Sequence, residues 1–237
     1  MANVRVITID GPSGSGKGTI SRRLAQLLGW HFLDSGALYR LVGLGGTRHG
    51  LANSDETKIA EYARQLAVRF EAGDPDEEPK IYLEDQDVTS ELRTEACGEL
   101  ASQVAAIPAV RDALLERQRN FRRPPGLVAD GRDMGTTVFP QADLKIFLTA
   151  SAEVRAQRRY KQLKDKGISG SLSALVHDIN QRDARDSSRS VSPLIPAPDA
   201  VILDTSEMDI AQVMKHVQDL VRRALPDVTI GGLRAER

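Results

Sequence analysis

The stretch Gly11 to Thr19, "GPSGSGKGT", decides how the rest of the chain is read. Its spacing, G-x-x-x-x-G-K, is that of a loop whose backbone N–H groups cradle phosphates while the lysine reaches the β- and γ-phosphates. Before it lies Val4 to Asp10, "VRVITID", an apolar run of strand length. After it, Lys17 to Leu28 places Ile20, Leu24, Leu27 and Leu28 at helical spacing. A flexible Gly/Ser linker that happened to hold a lysine would lack both flanks. Gly11, Pro12, Ser13, Gly14, Ser15, Gly16, Lys17, Gly18 and Thr19 are therefore the candidate loop for a nucleoside triphosphate, with a helix N-terminus behind it. One letter departs from the usual pattern. Gly18 stands where a Ser or Thr hydroxyl ordinarily ligates Mg²⁺, and the hydroxyl arrives at Thr19, turned by about 100° around the helix. A metal there leans on water, phosphates and another carboxylate.

Working outward, short apolar runs alternate with helical patterns. His31–Leu33, Leu127–Asp130, Leu144–Leu148 and Val201–Asp204 join Val4–Asp10 as strand candidates. Ala150–Lys166 and Leu172–Arg185 read as helices. Ser206–Leu225 reads as an amphipathic helix, with Ser206 and Asp209 suggesting a capping box. This alternation predicts an α/β fold with a parallel sheet covered on both faces. From about 67 to 93 the rhythm breaks: Val68–Glu71, Lys80–Glu84 and Asp87–Thr89 read as short strands around the polar turn "GDPDEEP", an inserted antiparallel element. Residues from Pro226 on read as a loosely held tail.

Composition sets outer bounds. A chain of 237 residues suits one large domain with a small insertion, and 41% apolar content supplies a core. A net charge of −1 and 4% aromatic residues argue against a nucleic-acid binder. Arginine outnumbers lysine 24 to 8, a bias that comes from overall composition or from a site handling several phosphates through bidentate forks. The single cysteine, Cys97, excludes an intramolecular disulfide framework and fits a reducing compartment. No basic-then-apolar leader opens the sequence, and no apolar stretch approaches the roughly 20 residues a membrane span needs. A soluble, cytoplasmic protein is expected, with no membrane or nucleic-acid partner.

Three further stretches carry chemistry. "LDSGALYR", Leu33 to Arg40, leaves a strand and enters a helix, with Ser35 at its start and Arg40 in its second turn. "VADGRDMG", Val128 to Gly135, ends an apolar run in Asp130 at the carboxyl edge of the sheet, where α/β folds hold ligands, and sets Asp130, Gly131, Arg132 and Asp133 together. Arg182, Arg185, Asp186 and Arg189 share one face if their helix continues, and Arg155, Arg158 and Arg159 repeat the spacing on the helix before. "KGISG" between those helices reads as a lid tip.

The Lys-Gly-Thr form of the loop resembles that of nucleoside monophosphate kinases. Taken with "LDSGALYR", "VADGRDMGTTVFP", "ASQVAAIPAVR" (Ala101–Arg111) and "RDARDSSRSVSPL" (Arg182–Leu194), the chain closely resembles the bacterial cytidylate kinases from its first strand to near Leu194. The resemblance implies a P-loop nucleoside monophosphate kinase fold, with a central five-stranded parallel sheet flanked by helices, a small antiparallel β insert and an Arg-rich helical lid at about 155–189. Residues 1–225 would form a single kinase domain. It implies transfer of the γ-phosphate of ATP to CMP or dCMP, with Mg²⁺.

By similarity, Asp133 accepts from the cytosine N4 amine, a role that suits a carboxylate. Ser102 and Arg111 would bond the ring edge, and Ser35, Arg40 and Arg132 would hold the CMP phosphate. Arg182 and Arg189 would contact phosphate and Asp186 the ribose, while Arg155 and Arg159 are further candidates for the ATP side. Asp130 is assigned to Mg²⁺ through water, not to proton abstraction, because an acceptor phosphate is already anionic. A monomer is expected. Competing readings are a kinase for UMP or a non-nucleotide acceptor, and a P-loop switch; no N-K-x-D guanine motif supports the last. Gly43, Gly45 and Gly46 in "LVGLGGTRHG" each cost about 1 kcal/mol in a helix, so the helix carrying Arg40 is expected to be short, kinked or mobile.

Overall fold

The computed structural model describes residues 4–51, 55–71, 80–165, 167, 170–189 and 191–231. The chain divides into two compact units, Met1–Asp34 with Arg119–Arg237, and Ser35–Gln118.

The first unit is built on a parallel sheet of five strands: β1 (Arg5–Asp10), β2 (His31–Asp34), β6 (Gly126–Gly131), β7 (Leu144–Thr149) and β8 (Val201–Asp204), in the order β2-β6-β1-β7-β8. β1 is central, with Arg5 to Asp10 paired to Gly126 to Gly131 on one side and Ile7 to Asp10 paired to Leu144 to Phe147 on the other. Every residue of β6 is buried, the near-continuous apolar burial expected of a parallel strand covered on both faces. α1 (Lys17–Leu28) and α8 (Ile210–Ala224) cover one face. Ile7 and Ile9 point the same way because strand side chains alternate, and they meet Ile20, Leu24, Val213, Val217 and Val221 in one core cluster. α6 (Ala152–Asp165) and α7 (Leu172–Ser188) pack on each other and form the Arg-rich helical pair.

The second unit carries α2 (Ser35–Arg48), α3 (Glu56–Arg64), α4 (Glu95–Val104) and most of α5 (Pro108–Arg119). It also holds the antiparallel sheet of β3 (Val68–Glu71), β4 (Lys80–Leu83) and β5 (Gln86–Asp87). The "GDPDEEP" turn between β3 and β4 lies outside the described residues. α2 runs unbroken for 14 residues, against the expectation of a short or kinked helix. Its glycines are there for close approach. A Cβ at Gly43 would meet Leu100 at 2.8 Å, one at Gly45 would meet the Tyr62 hydroxyl at 1.9 Å, and one at Gly46 would meet Ile59 at 3.1 Å. Helix propensity is surrendered so that α3 and α4 can lie against α2.

Two local expectations are corrected. α8 is capped by Asp209, whose carboxylate accepts from the Gln212 N–H while the Gln212 side chain accepts from the Asp209 N–H. Ser206 lies before the helix, and its hydroxyl instead serves Asp204 and the Ser151 N–H. Nor do residues 226–231 hang loose. Val228 and Ile230 pack against the core cluster, Asp227 pairs with Arg5 at 3.1 Å, and the Gly231 N–H donates to the Leu27 carbonyl at 3.0 Å. Among the described residues no helix is long and apolar enough to cross a membrane.

Candidate active site

The loop after β1 is shaped by three glycines with positive φ, Gly11 at 152°, Gly14 at 80° and Gly16 at 90°. Gly11 has no alternative: a Cβ there would sit 2.1 Å from the Leu148 carbonyl oxygen. Gly16 caps α1 without a side-chain acceptor, so the first-turn N–H groups are left for an anion. Behind the loop, α6 takes its carbonyls. Arg155 Nη1 donates to Ser13 O at 3.1 Å and Arg158 Nη1 to Ser15 O at 3.3 Å. With the Ser13 and Ser15 carbonyls drawn backward, the loop can turn amides toward an anion, although the Ser15 N–H also donates to Pro12 O at 3.4 Å. The Ser15 hydroxyl is buried with no hydrogen bond, and Thr19 is exposed in the first turn.

Lys17 is half-buried and its ammonium donates to Pro12 O at 3.2 Å. Burial pulls its pKa down, and Arg132 and Arg182 add to this while Asp130 and Asp34 oppose it. Burial likewise pushes the Asp130 carboxyl up, with Lys17 pulling the other way. A Cβ at Gly18 would stand 3.2 Å from Asp130 Oδ2, while Asp130 Oδ1 is buried with no hydrogen bond. The letter missing from the loop is thus matched by a carboxylate from β6 whose free oxygen suits a hard cation. Mg²⁺ keeps several waters and takes few protein ligands, so a single carboxylate fits it. Among the described residues no cluster of three His, Cys, Asp or Glu side chains forms a metal cage.

Beyond β6, Asp133 is buried and its carbonyl accepts from the N–H groups of Thr137 and Val138, at the head of a π-helical turn over Met134–Val138. Asp10, at the end of β1, holds that turn: Oδ1 accepts from Met134 N at 2.9 Å and Oδ2 from Gly135 N at 2.8 Å. Sequence reading missed Asp10, and Asp34 at the end of β2. Both stand where an apolar run reaches the carboxyl edge, the same signal that singled out Asp130.

On α7, Asp186 is fully buried. Arg132 Nε donates to its Oδ2 at 2.5 Å and Arg189 to its Oδ1. Burial pushes this carboxyl up, but Arg132, Arg189 and Arg182 together outweigh it and hold it below the usual range. Both Asp186 oxygens thus accept from arginines. Arg189 is not on the shared helical face: α7 ends at Ser188, and Arg189 is its extended C-cap. The tip between α6 and α7 has Lys166, Ile168 and Ser169 outside the described residues. Arg155 lies on α6 beneath the phosphate loop. It is buried and spent on Ala150 O, Ser13 O and Asp183. Arg159 donates to Gln162 Oε1 at 3.3 Å.

In the second unit Ser35 is buried as the first residue of α2. Arg40, five residues on, donates to Leu92 O at 2.8 Å and Thr94 O at 3.2 Å, around a 3₁₀ turn over Glu91–Arg93. Ser102 is buried on α4 and Arg111 on α5, where Arg111 donates to Ala105 O at 3.2 Å and lies 5.6 Å from the Tyr39 ring centre.

In the first unit, then, Lys17 at an uncapped helix start lies in the combined field of Asp130, Arg132 and Arg182, an arrangement suited to moving a phosphoryl group between anions. The parallel sheet and displaced loop threonine are the features on which the sequence resembles nucleoside monophosphate kinases. A family model described as cytidylate kinase matches residues 7–223. A cytidylate kinase of Bordetella bronchiseptica is 57% identical over 217 residues, covering 92% of this chain and 95% of that protein. Those of Pseudomonas putida (56% over 213 residues) and Pseudomonas fluorescens (58% over 212) each cover 90% of this chain and 93% of their own length. The chain belongs to the cytidylate kinase family, whose members are ATP-dependent kinases.

Proposed function

We propose that the protein transfers the γ-phosphate of ATP to CMP or dCMP, giving ADP and CDP or dCDP. The observation that carries this reading is the juxtaposition of Lys17, at the uncapped start of α1, with Asp130 behind Gly18. An oxygen of the CMP phosphate attacks the γ-phosphorus in line; that bond forms as the bond to the β–γ bridging oxygen breaks, and ADP leaves. The loop N–H groups and Lys17 hold the β- and γ-oxygens, and Arg132, Arg182 and Arg189 spread charge in the transition state. No general base is needed.

Asp130, with its orphaned Oδ1, would hold Mg²⁺ through water. When bound, that ion neutralises phosphate charge and fixes the triphosphate geometry. Asp133 reads cytosine by accepting from N4, where uracil presents an oxygen and is repelled. Ser102 and Arg111 take the ring edge, and Ser35 and Arg40 the acceptor phosphate. Asp186 reaches the ribose by exchanging one of its arginines. Arg159 is kept for the ATP side. Residues 1–225 act as one kinase domain with a lid at about 155–189, working as a monomer in the cytoplasm.

The test is ADP release from ATP and Mg²⁺ with CMP, dCMP, UMP or no acceptor. Turnover that requires CMP or dCMP supports the reading. Equal turnover with UMP removes the cytosine preference, and turnover indifferent to any nucleotide removes the kinase assignment.

A further inference from the structure

Asp183 and Asp186 stand three residues apart on α7, and each is gripped by arginine from a different quarter of the first unit. Asp186 takes Arg132, from the end of β6, and Arg189. Asp183 takes Arg155, from α6, in a two-pronged pair with Nη1 at 3.1 Å and Nη2 at 2.5 Å. Arg155 is 4% exposed. Its Nε donates to Ala150 O at 2.9 Å, and Nη1 also donates to Ser13 O at 3.1 Å. Four of its five N–H donors are therefore spent on protein acceptors. Its Cβ lies so close under the loop that a Cβ at Gly14 would meet it at 3.1 Å. An arginine used up in this way has little left for a phosphate.

We propose that Arg155 is a positioning residue that ties the phosphate loop, through Ser13 O, to α7, through Asp183, so that loop and lid helix hold one register. Arg182 neighbours Asp183 in the chain, so whatever fixes Asp183 to the loop also fixes where Arg182 stands relative to Lys17. A guanidinium presents a planar fork that matches both carboxylate oxygens while a further N–H serves a carbonyl; an ammonium has three donors but no such fork. The inference rests on the proposed phosphoryl transfer, and turnover by the unaltered protein, measured first with CMP, dCMP and UMP, checks that reading by itself.

The experiment compares Arg155→Lys, Asp183→Asn and the double variant in the full chain. It uses the acceptor that the unaltered protein turns over fastest, with kcat, KM for ATP and thermal melting read for each. Each single variant is expected to lower kcat by about tenfold or more, as loss of alignment does, with KM for ATP changed by less than about threefold. The double variant is expected to lose little beyond either single one, because the pair acts as a unit. A raised KM for ATP with preserved kcat in Arg155→Lys would make Arg155 a nucleotide ligand and overturn the proposal. So would an unaltered kcat in Asp183→Asn, or losses that simply multiply. If Arg155→Lys does not fold, Asp183→Asn decides alone, since it leaves the bonds to Ala150 and Ser13 in place.

Discussion

Gly18 and Asp130 are fitted to each other: a Cβ at position 18 would stand 3.2 Å from the Asp130 carboxylate, tighter than ordinary van der Waals contact. Restoring the common loop letter should therefore harm this protein. Gly18→Ser is expected to lower kcat/KM for ATP by about tenfold through displacement of that carboxylate. Steady-state kinetics at fixed Mg²⁺ check this, and unchanged kinetics would separate Asp130 from the loop's metal chemistry.

Lys17 and Arg182 share one electrostatic neighbourhood. Lys17→Ala and Arg182→Ala should each cut kcat on the order of 10²–10³-fold, the usual loss when a charge-stabilising group leaves a phosphoryl site. Near-normal turnover in either would sink that residue's assignment.

Asp133 is buried at the head of the π-helical turn. Asp133→Asn swaps an acceptor for a group that can also donate, so competition between CMP and UMP should shift toward UMP by about tenfold. An unaltered ratio of kcat/KM removes it as the base reader.

Burial lifts the Asp10 carboxyl from 3.8 to about 7, against the two backbone N–H groups that favour its charge. In the window between those values the folded state binds more protons than the unfolded chain. Stability is then greatest below it and falls as pH rises through it. Asp130 adds a slope of the same sign. Asp10→Asn should flatten, but not abolish, the fall in melting temperature of the ligand-free protein from about pH 5 to about pH 8. Parallel curves for the two proteins would count against a titrating Asp10.

The packed glycines of α2 give a test in the second unit. Gly45→Ala improves helix propensity by about 1 kcal/mol, yet its Cβ would meet the Tyr62 hydroxyl at 1.9 Å. Overpacking wins, and destabilisation of about 1–3 kcal/mol is expected in urea unfolding. Tyr62→Ala in the same chain should relieve it.

Much of this was legible in the sequence because it is local. The loop, the five strands and the insert announce themselves through spacing and apolar runs, and each lies within about two residues of where the pattern puts it. What spacing could not say is what a face meets. Arg155, Arg158 and Arg159 do recur at helical intervals, but only the fold shows the first two donating to loop carbonyls and the third to Gln162 on its own helix. The α2 glycines looked like weakness because propensity is counted along one helix, whereas their use lies in its neighbours. Asp209 outcompeted Ser206 as a cap because Gln212 stands three residues after it and returns the bond. Val228 and Ile230 lie in a short stretch with no regular pattern, whose docking depends on a core built elsewhere.

The strand order has a consequence for how the protein is made. β1 leaves the ribosome first, yet both strands that flank it, β6 and β7, begin at Gly126 and Leu144. The central strand must therefore wait, apolar and unpaired, through synthesis of more than a hundred residues. The segment Ser35–Gln118, by contrast, is continuous in the chain and holds its own helices and sheet. Vectorial synthesis thus favours the second unit as the earlier one to compact, and leaves Val4 to Asp10 as the segment most in need of a chaperone's shelter.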